Sequence, residues 1–302
     1  WLTPIIWRVI LHRRLMTSRP EIVPVILAGG RDPQLWPLTH SKRAKAFLSL
    51  GTGLSFFQRT VLRVRAFAPP LIVCDERHKE LAQDQLKLIK SEYRAIIHEP
   101  ESKGTAAAVA LAAHYLKGQG LLMLVMPSDH ILKNVRAFEK AVIESLAYTI
   151  DHMVLFGVKP TAPETEYGYI VTEMGKAPCR PVRKFIEKPS LEDAQALMMR
   201  PDCLWNTGMF LTRPTIFLQQ MERTAPRLYA AIQKSFEGGE EEHVFFQPDR
   251  GAFSNVEAVS VDVAVMKNAT SCLARDLGVP WSDVGTLKKL WRWRFNREQA
   301  PD

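Results

Sequence analysis

Strand-like and helix-like runs alternate through the first half of this 302-residue chain, and few folds accommodate that rhythm. Val23 to Leu27, Leu71 to Cys74, Ala95 to His98, Leu121 to Met126 and Met153 to Val158 are short apolar runs. Such runs suit strands buried on both faces of a sheet. Helical patterns lie between them. Arg77 to Ser91 is amphipathic, with Leu81, Leu86 and Leu88 expected to point inward. Thr105 to Leu116 is rich in alanine and can lie close against a sheet, and Val135 to Ile150 makes a third helix. Alternation at this spacing predicts an α/β fold with a mostly parallel central sheet and helices on both faces. From Pro160 the texture changes to turn residues, shorter strands and sparse helices, at Leu191 to Met199 and Pro214 to Thr224, with polar Glu237 to Glu242 read as a solvated loop. The expectation is one domain whose irregular second half closes over a cleft at the carboxyl ends of the strands.

Composition narrows the partners. Apolar content of 46% and charged content of 24% are those of an ordinary folded chain. The formal charge of +8 favours anionic ligands. No zinc-finger spacing, RNP-type motif or basic-aromatic repeat accompanies it, so nucleic acid is not expected as a partner. Cys74, Cys179, Cys203 and Cys272 form no C-x-x-C pair, which fits reduced thiols and a cytoplasmic protein. The apolar run Ile5 to Leu11 is broken by Arg8 and precedes its basic residues. That order is wrong for a signal peptide, and the run is too short for a membrane span, so no membrane is expected. Residues 1–20 read as a disordered or non-native extension with Met16 as the start, 21–295 as the domain and 296–302 as a tail.

The first strand empties into Leu27-Ala28-Gly29-Gly30. Two glycines let backbone N–H groups approach a ligand, and a basic segment follows, the makings of a phosphate cradle. A plain tight turn is the competing reading. After the central strand comes Pro127-Ser128-Asp129-His130, and near the far end Trp281-Ser282-Asp283-Val284-Gly285. Two aspartates converging on one divalent cation would serve nucleotidyl transfer, whereas a helix N-cap is the bland role for Asp129. His130 reads as a turn histidine satisfied by backbone. Between the acids lie Glu166-Tyr167-Gly168-Tyr169-Ile170, Glu187-Lys188-Pro189 and Trp205-Asn206-Thr207-Gly208-Met209-Phe210. Carboxylates and amides such as Glu187 and Asn206 suit sugar hydroxyls.

Taken in order, these motifs resemble the bacterial mannose-1-phosphate guanylyltransferase (GDP-mannose pyrophosphorylase) family, from about Val23 to Trp291. The likeness adds Leu35-Trp36-Pro37-Leu38, Lys45 with Phe47-Leu48, Glu99-Pro100 before Thr105-Ala106, Ser260-Val261-Asp262 and Ala264-Val265-Met266. It implies a nucleotide-diphospho-sugar transferase (Rossmann-like) fold and the conversion of GTP and mannose 1-phosphate to GDP-mannose and pyrophosphate with Mg²⁺, in polysaccharide biosynthesis. It leaves room for a homodimer. Carried over, Leu27, Ala28, Gly29, Gly30, Glu99, Thr105 and Asp129 would hold the nucleotide. Lys45, Asp129 and Asp283 would be catalytic, the two aspartates holding the metal. Gly168, Glu187, Lys188 and Asn206 would hold the sugar phosphate.

The departures cluster on the triphosphate side. Where the family reads Gly-Gly-x-Gly-x-Arg, this chain has Gly29-Gly30-Arg31-Asp32-Pro33-Gln34. Asp32 is expected to repel triphosphate, and Gln34 to leave the departing pyrophosphate under-stabilised. Ala44-Lys45-Ala46-Phe47 and Lys103-Gly104-Thr105-Ala106-Ala107 also depart from family strings. Neither a C-terminal β-helix nor a cupin isomerase domain is read in the chain, and isomerase activity is not expected. A weakly active or inactive sugar-nucleotide-binding homologue, and a transferase of altered base or sugar choice, remain the competing readings.

Overall fold

The computed structural model describes residues 20–30, 39, 44–49 and 53–283. The expected start at Met16, the loop Arg31 to Gln34, Leu35 to Leu38 and the tail lie outside these. The first half comprises β1 (Ile22–Leu27), α1 (Phe56–Arg63), β2 (Leu71–Asp75), α2 (Lys79–Leu88), β3 (Ala95–Glu99), α3 (Thr105–Leu116), β4 (Leu122–Pro127), β5 (Ile131–Leu132), α4 (Val135–Glu144) and β6 (Met153–Val158). The second comprises β7 (Gly168–Thr172), β8 (Cys179–Glu187), α5 (Leu191–Met198), β9 (Cys203–Thr212), α6 (Pro214–Thr224), α7 (Pro226–Glu237), β10 (Glu240–Glu242), β11 (Phe245–Gln247), α8 (Arg250–Ser254), β12 (Cys272–Asp276) and β13 (Trp281–Ser282).

Among the described residues the main sheet has eleven strands, in the order β10-β11-β3-β2-β1-β4-β9-β6-β12-β8-β7. The run β11-β3-β2-β1-β4 is parallel, as the alternation predicted. Beyond it the sheet is mixed. β9 runs antiparallel between β4 and β6, and a short β7–β8 connection makes an antiparallel pair. β7 also pairs with β9, which closes the last five strands into a ring.

Alternation along β1 sorts its side chains onto two faces. Val23 and Val25 join one apolar cluster with α3, α6 and α7, while Ile22 and Ile26 join another with α1, α2 and α4. Helices therefore cover both faces. α3 fits closely because its alanines are buried almost without exception.

Several sequence boundaries shift. α2 begins at Lys79, after a 3-10 turn Glu76–His78 that the Asp75 side chain caps. It buries Ala82 and Leu86, whereas Leu88 is 77% exposed. Leu88 stands two residues past Leu86, about 200° around the helix, so both cannot face inward. The predicted helix to Ile150 stops at Glu144, where Ser145 turns its hydroxyl back onto the Ala141 carbonyl and a 3-10 turn follows. Part of Glu237 to Glu242 is an exposed edge strand rather than loop, paired with β11. α7, which starts with Pro226 at its first turn, was not anticipated. No described helix is long and apolar enough to cross a membrane.

Candidate active site

Register fixes which loops meet. Leu27 pairs with Pro127, so the glycine turn after β1 and the Asp129 segment after β4 leave the sheet side by side. The Ala28 N–H donates to the Val73 carbonyl at 2.8 Å, and the Ser128 N–H and hydroxyl both donate to the Leu27 carbonyl. The turn is thus pinned from both neighbours. Gly29 and Gly30 are exposed, and Gly30 has a φ of +121°, a backbone state that glycine alone adopts readily.

Next to this turn stands Glu99. An added Cβ on Gly29 would lie 4.0 Å from its Oε2, and Asp75 is its partner across the β2–β3 pair. Glu99 is only 4% exposed, and its Oε1 has no hydrogen-bond partner. Burial, then the Asp75 carboxylate, pushes its acid group well above the ordinary carboxylate range. Asp75 itself is held by a bidentate Arg77 at 2.6 and 2.7 Å. Thr105 opens α3, where its hydroxyl accepts from the Val261 N–H at 2.9 Å.

The Asp129 and Asp283 segments lie side by side. β13 pairs with β5, setting Ser282 opposite Ile131, and this small sheet brings the far segment back beside Asp129. Lys45 links them. Its ammonium lies 2.7 Å from Asp129 Oδ2 and 2.8 Å from the Asp283 carbonyl oxygen, and the residue is buried. Burial would raise the Asp129 acid group, but Lys45 and His130 hold it below its ordinary value. Asn134, not Asp129, caps α4, which removes the bland role for that aspartate. His130 is satisfied by a side chain rather than backbone: the Trp281 indole N–H donates to its Nδ1 at 3.3 Å. Burial lowers its basicity, partly offset by Asp129.

The motif around Tyr167 suggests no role for its side chain in the sequence. Its hydroxyl donates to Asp283 Oδ1 at 2.6 Å, and its ring meets Trp205 and Trp281 edge to face. Burial and the acceptor carboxylate both push its phenol up, burial most.

On the other side of β4, the β7–β8 register sets Gly168 opposite Glu187, and β9 brings Asn206 alongside. A Cβ on Gly168 would stand 2.8 Å from Glu187 Oε2 and 3.3 Å from the Asn206 Cβ, so a side chain there would push the Glu187 carboxyl aside. Burial, then the Asp262 carboxylate, raises the Glu187 acid group to about 6 against the opposing pull of Lys188. The Lys188 ammonium is exposed, 3.6 Å from Glu166. Asn206 donates to Asp262 Oδ1 at 2.9 Å and accepts from the Gly208 N–H at 3.1 Å. Asp262 also stood in a quoted motif with no role; only the long-range contact reveals one.

The family described as nucleotidyl transferase matches residues 23–299. The chain is 37% identical over 275 residues to the xanthan biosynthesis protein XanB of Xanthomonas campestris pv. campestris, covering 89% of this chain and 59% of that protein. It is 35% identical over 289 residues to the mannose-1-phosphate guanylyltransferase ManC of Salmonella typhimurium, covering 92% of this chain and 60% of that protein. The chain thus spans less than two thirds of these curated relatives. A solved structure described as mannose-1-phosphate geranyltransferase from Thermus thermophilus superposes with a TM-score of 0.77 at 27% identity, covering 88% of this chain and 76% of that one.

Proposed function

Because the chain belongs to the nucleotidyl transferase family, among relatives of the mannose-1-phosphate guanylyltransferases, we propose that it makes GDP-mannose and pyrophosphate from GTP and mannose 1-phosphate. The observation that carries this reading is the Lys45 ammonium. It joins Asp129 and Asp283 at the end of β4, between the glycine turn of β1 and the sugar-side residues of β7 to β9. A sugar phosphate held by Gly168, Glu187, Lys188 and Asn206 would there face the α-phosphorus of a nucleotide held at Leu27 to Gly30. Its phosphate oxygen forms the new bond to that phosphorus, the bond to the β-phosphate oxygen breaks, and pyrophosphate leaves with the electron pair. Catalysis of this kind is positioning and charge stabilisation.

Guanine as the base rests on the mannose-1-phosphate guanylyltransferase relatives; the buried, unpartnered Glu99 oxygen beside the glycine turn offers the nucleotide a polar contact. Asp129 and Asp283 would hold a hard cation through their carboxylates: the Lys45 ammonium contacts the Asp129 carboxylate and the Asp283 backbone carbonyl, while the Asp283 carboxylate takes the Tyr167 hydroxyl. Among the described residues no group of three or more His, Cys, Asp or Glu gathers around one point, so the substrate's oxygens would complete the shell. Mg²⁺, when bound, neutralises charge on the phosphates. The cytoplasm, where GTP is available and thiols such as the four buried ones stay reduced, is the matching compartment.

Pyrophosphate release from purified protein with GTP, mannose 1-phosphate and Mg²⁺ tests the reading. Asp129→Asn and Asp283→Asn are each expected to abolish turnover with the fold intact by circular dichroism. Near-parental activity in either variant would remove that aspartate from the site. Binding of GDP-mannose with no turnover in the parent would favour the inactive homologue and overturn the enzyme.

A further inference from the structure

Asp262 is a carboxylate that the transfer chemistry leaves without a task. It opens a π-helical turn, Asp262–Met266, a rare element that recurs at functional sites. Its neighbours tie this segment to the nucleotide side. The Val261 N–H donates to the Thr105 hydroxyl, Ala106 donates to the Val259 carbonyl, and Val259 donates to the Lys103 carbonyl. Gly104 makes the approach possible, because a Cβ there would stand 2.4 Å from the Val259 oxygen. On the sugar side, Asp262 Oδ1 takes one N–H of Asn206, while the Asn206 oxygen takes the Gly208 N–H. Flipping that amide would set its oxygen against a carboxylate and its NH₂ against another donor. One orientation survives, with one N–H left over for a ligand.

We propose that Asp262 is a positioning residue for the sugar-phosphate side, fixing the Asn206 amide in its single orientation and joining it to the first turn of α3. The inference rests on the sugar-phosphate reading of Gly168, Glu187 and Asn206. Asp262 also acts on Glu187: burial first, then the Asp262 carboxylate, raises that acid group, with Lys188 beside it opposing. Lys188 has Glu166 as a counter-charge.

Two variants separate the hydrogen bond from the charge. Asp262→Ala removes the acceptor, and is expected to raise KM for mannose 1-phosphate about tenfold while KM for GTP holds. Asp262→Asn keeps an oxygen for the Asn206 N–H and should recover most of that loss. It lacks the charge, however, so the Glu187 carboxyl, raised to about 6 in the parent, should titrate with its inflection at lower pH in nuclear magnetic resonance of the labelled side chain. Equal changes in both KM values for Asp262→Ala, or an unmoved inflection in Asp262→Asn, would overturn the proposal. Calorimetric binding of mannose 1-phosphate to parent and variants reads the same difference without turnover. Should the parent release no pyrophosphate, that failure belongs to the proposed reaction, and the binding comparison still decides the role of Asp262.

Discussion

One hydroxyl, that of Tyr167, holds the distal aspartate of the site. Tyr167→Phe keeps the ring between Trp205 and Trp281 and deletes only that donor. A hydrogen bond to a charged group is worth about 1.5–3 kcal/mol, so Mn²⁺ affinity followed by electron paramagnetic resonance should fall at least about tenfold, with little change in Tm. Unchanged affinity would show Asp283 to be held by its other contacts. Glu187 has a consequence for stability. Folded, it keeps its proton to about pH 6, whereas the unfolded side chain loses it near 4.5. Over that interval the folded state binds more protons, so stability falls as pH rises. Denaturant midpoints should show this fall in the parent and a flatter profile in Glu187→Gln; identical profiles would mean that Glu187 feels neither burial nor Asp262.

Among the elements, the junction before α3 has the least room. Gly104 sits at φ +82° with the Val259 carbonyl where a side chain would begin. Gly104→Ala adds left-handed strain of about 1–2 kcal/mol to a steric clash with backbone, which must move the segment from Val259 to Asp262 away from the helix. Urea unfolding should register a loss of at least that size, along with weaker mannose 1-phosphate binding through Asn206. A stable variant with normal binding would show that the junction relaxes freely. The helices also show what local pattern can and cannot read. Thr105 to Leu116 and Pro214 to Thr224 were legible to the residue, since alanine content and an N-terminal proline act locally. The inward face of α2 was not, because its start depended on the Asp75 cap and the 3-10 turn.

At the scale of the whole molecule, the parallel and mixed halves share one sheet and two apolar clusters that run across it. β9 joins them, paired to β6 along one edge and to β4 and β7 on the other. Such continuity predicts a single cooperative unfolding transition, with fluorescence and far-UV circular dichroism giving one midpoint. Two separated midpoints would mean that the halves fold as independent units.

The sequence by itself determined the parallel half of the sheet and the glycine turn. Apolar strand runs, φ-permissive glycines and motif order are local properties, readable wherever the chain goes. Only the tertiary structure decided that the second half is mixed, with β12 parallel to β6, and closes through β7 onto β9. It alone assigned partners to Tyr167 and Asp262, for the contacts that give them meaning join residues far apart in the chain. It alone left Glu99 with a buried, unpartnered oxygen beside Gly29. A side chain's chemistry belongs to its residue type, but its burial, its partner and hence its charge state are set by whatever the fold brings next to it.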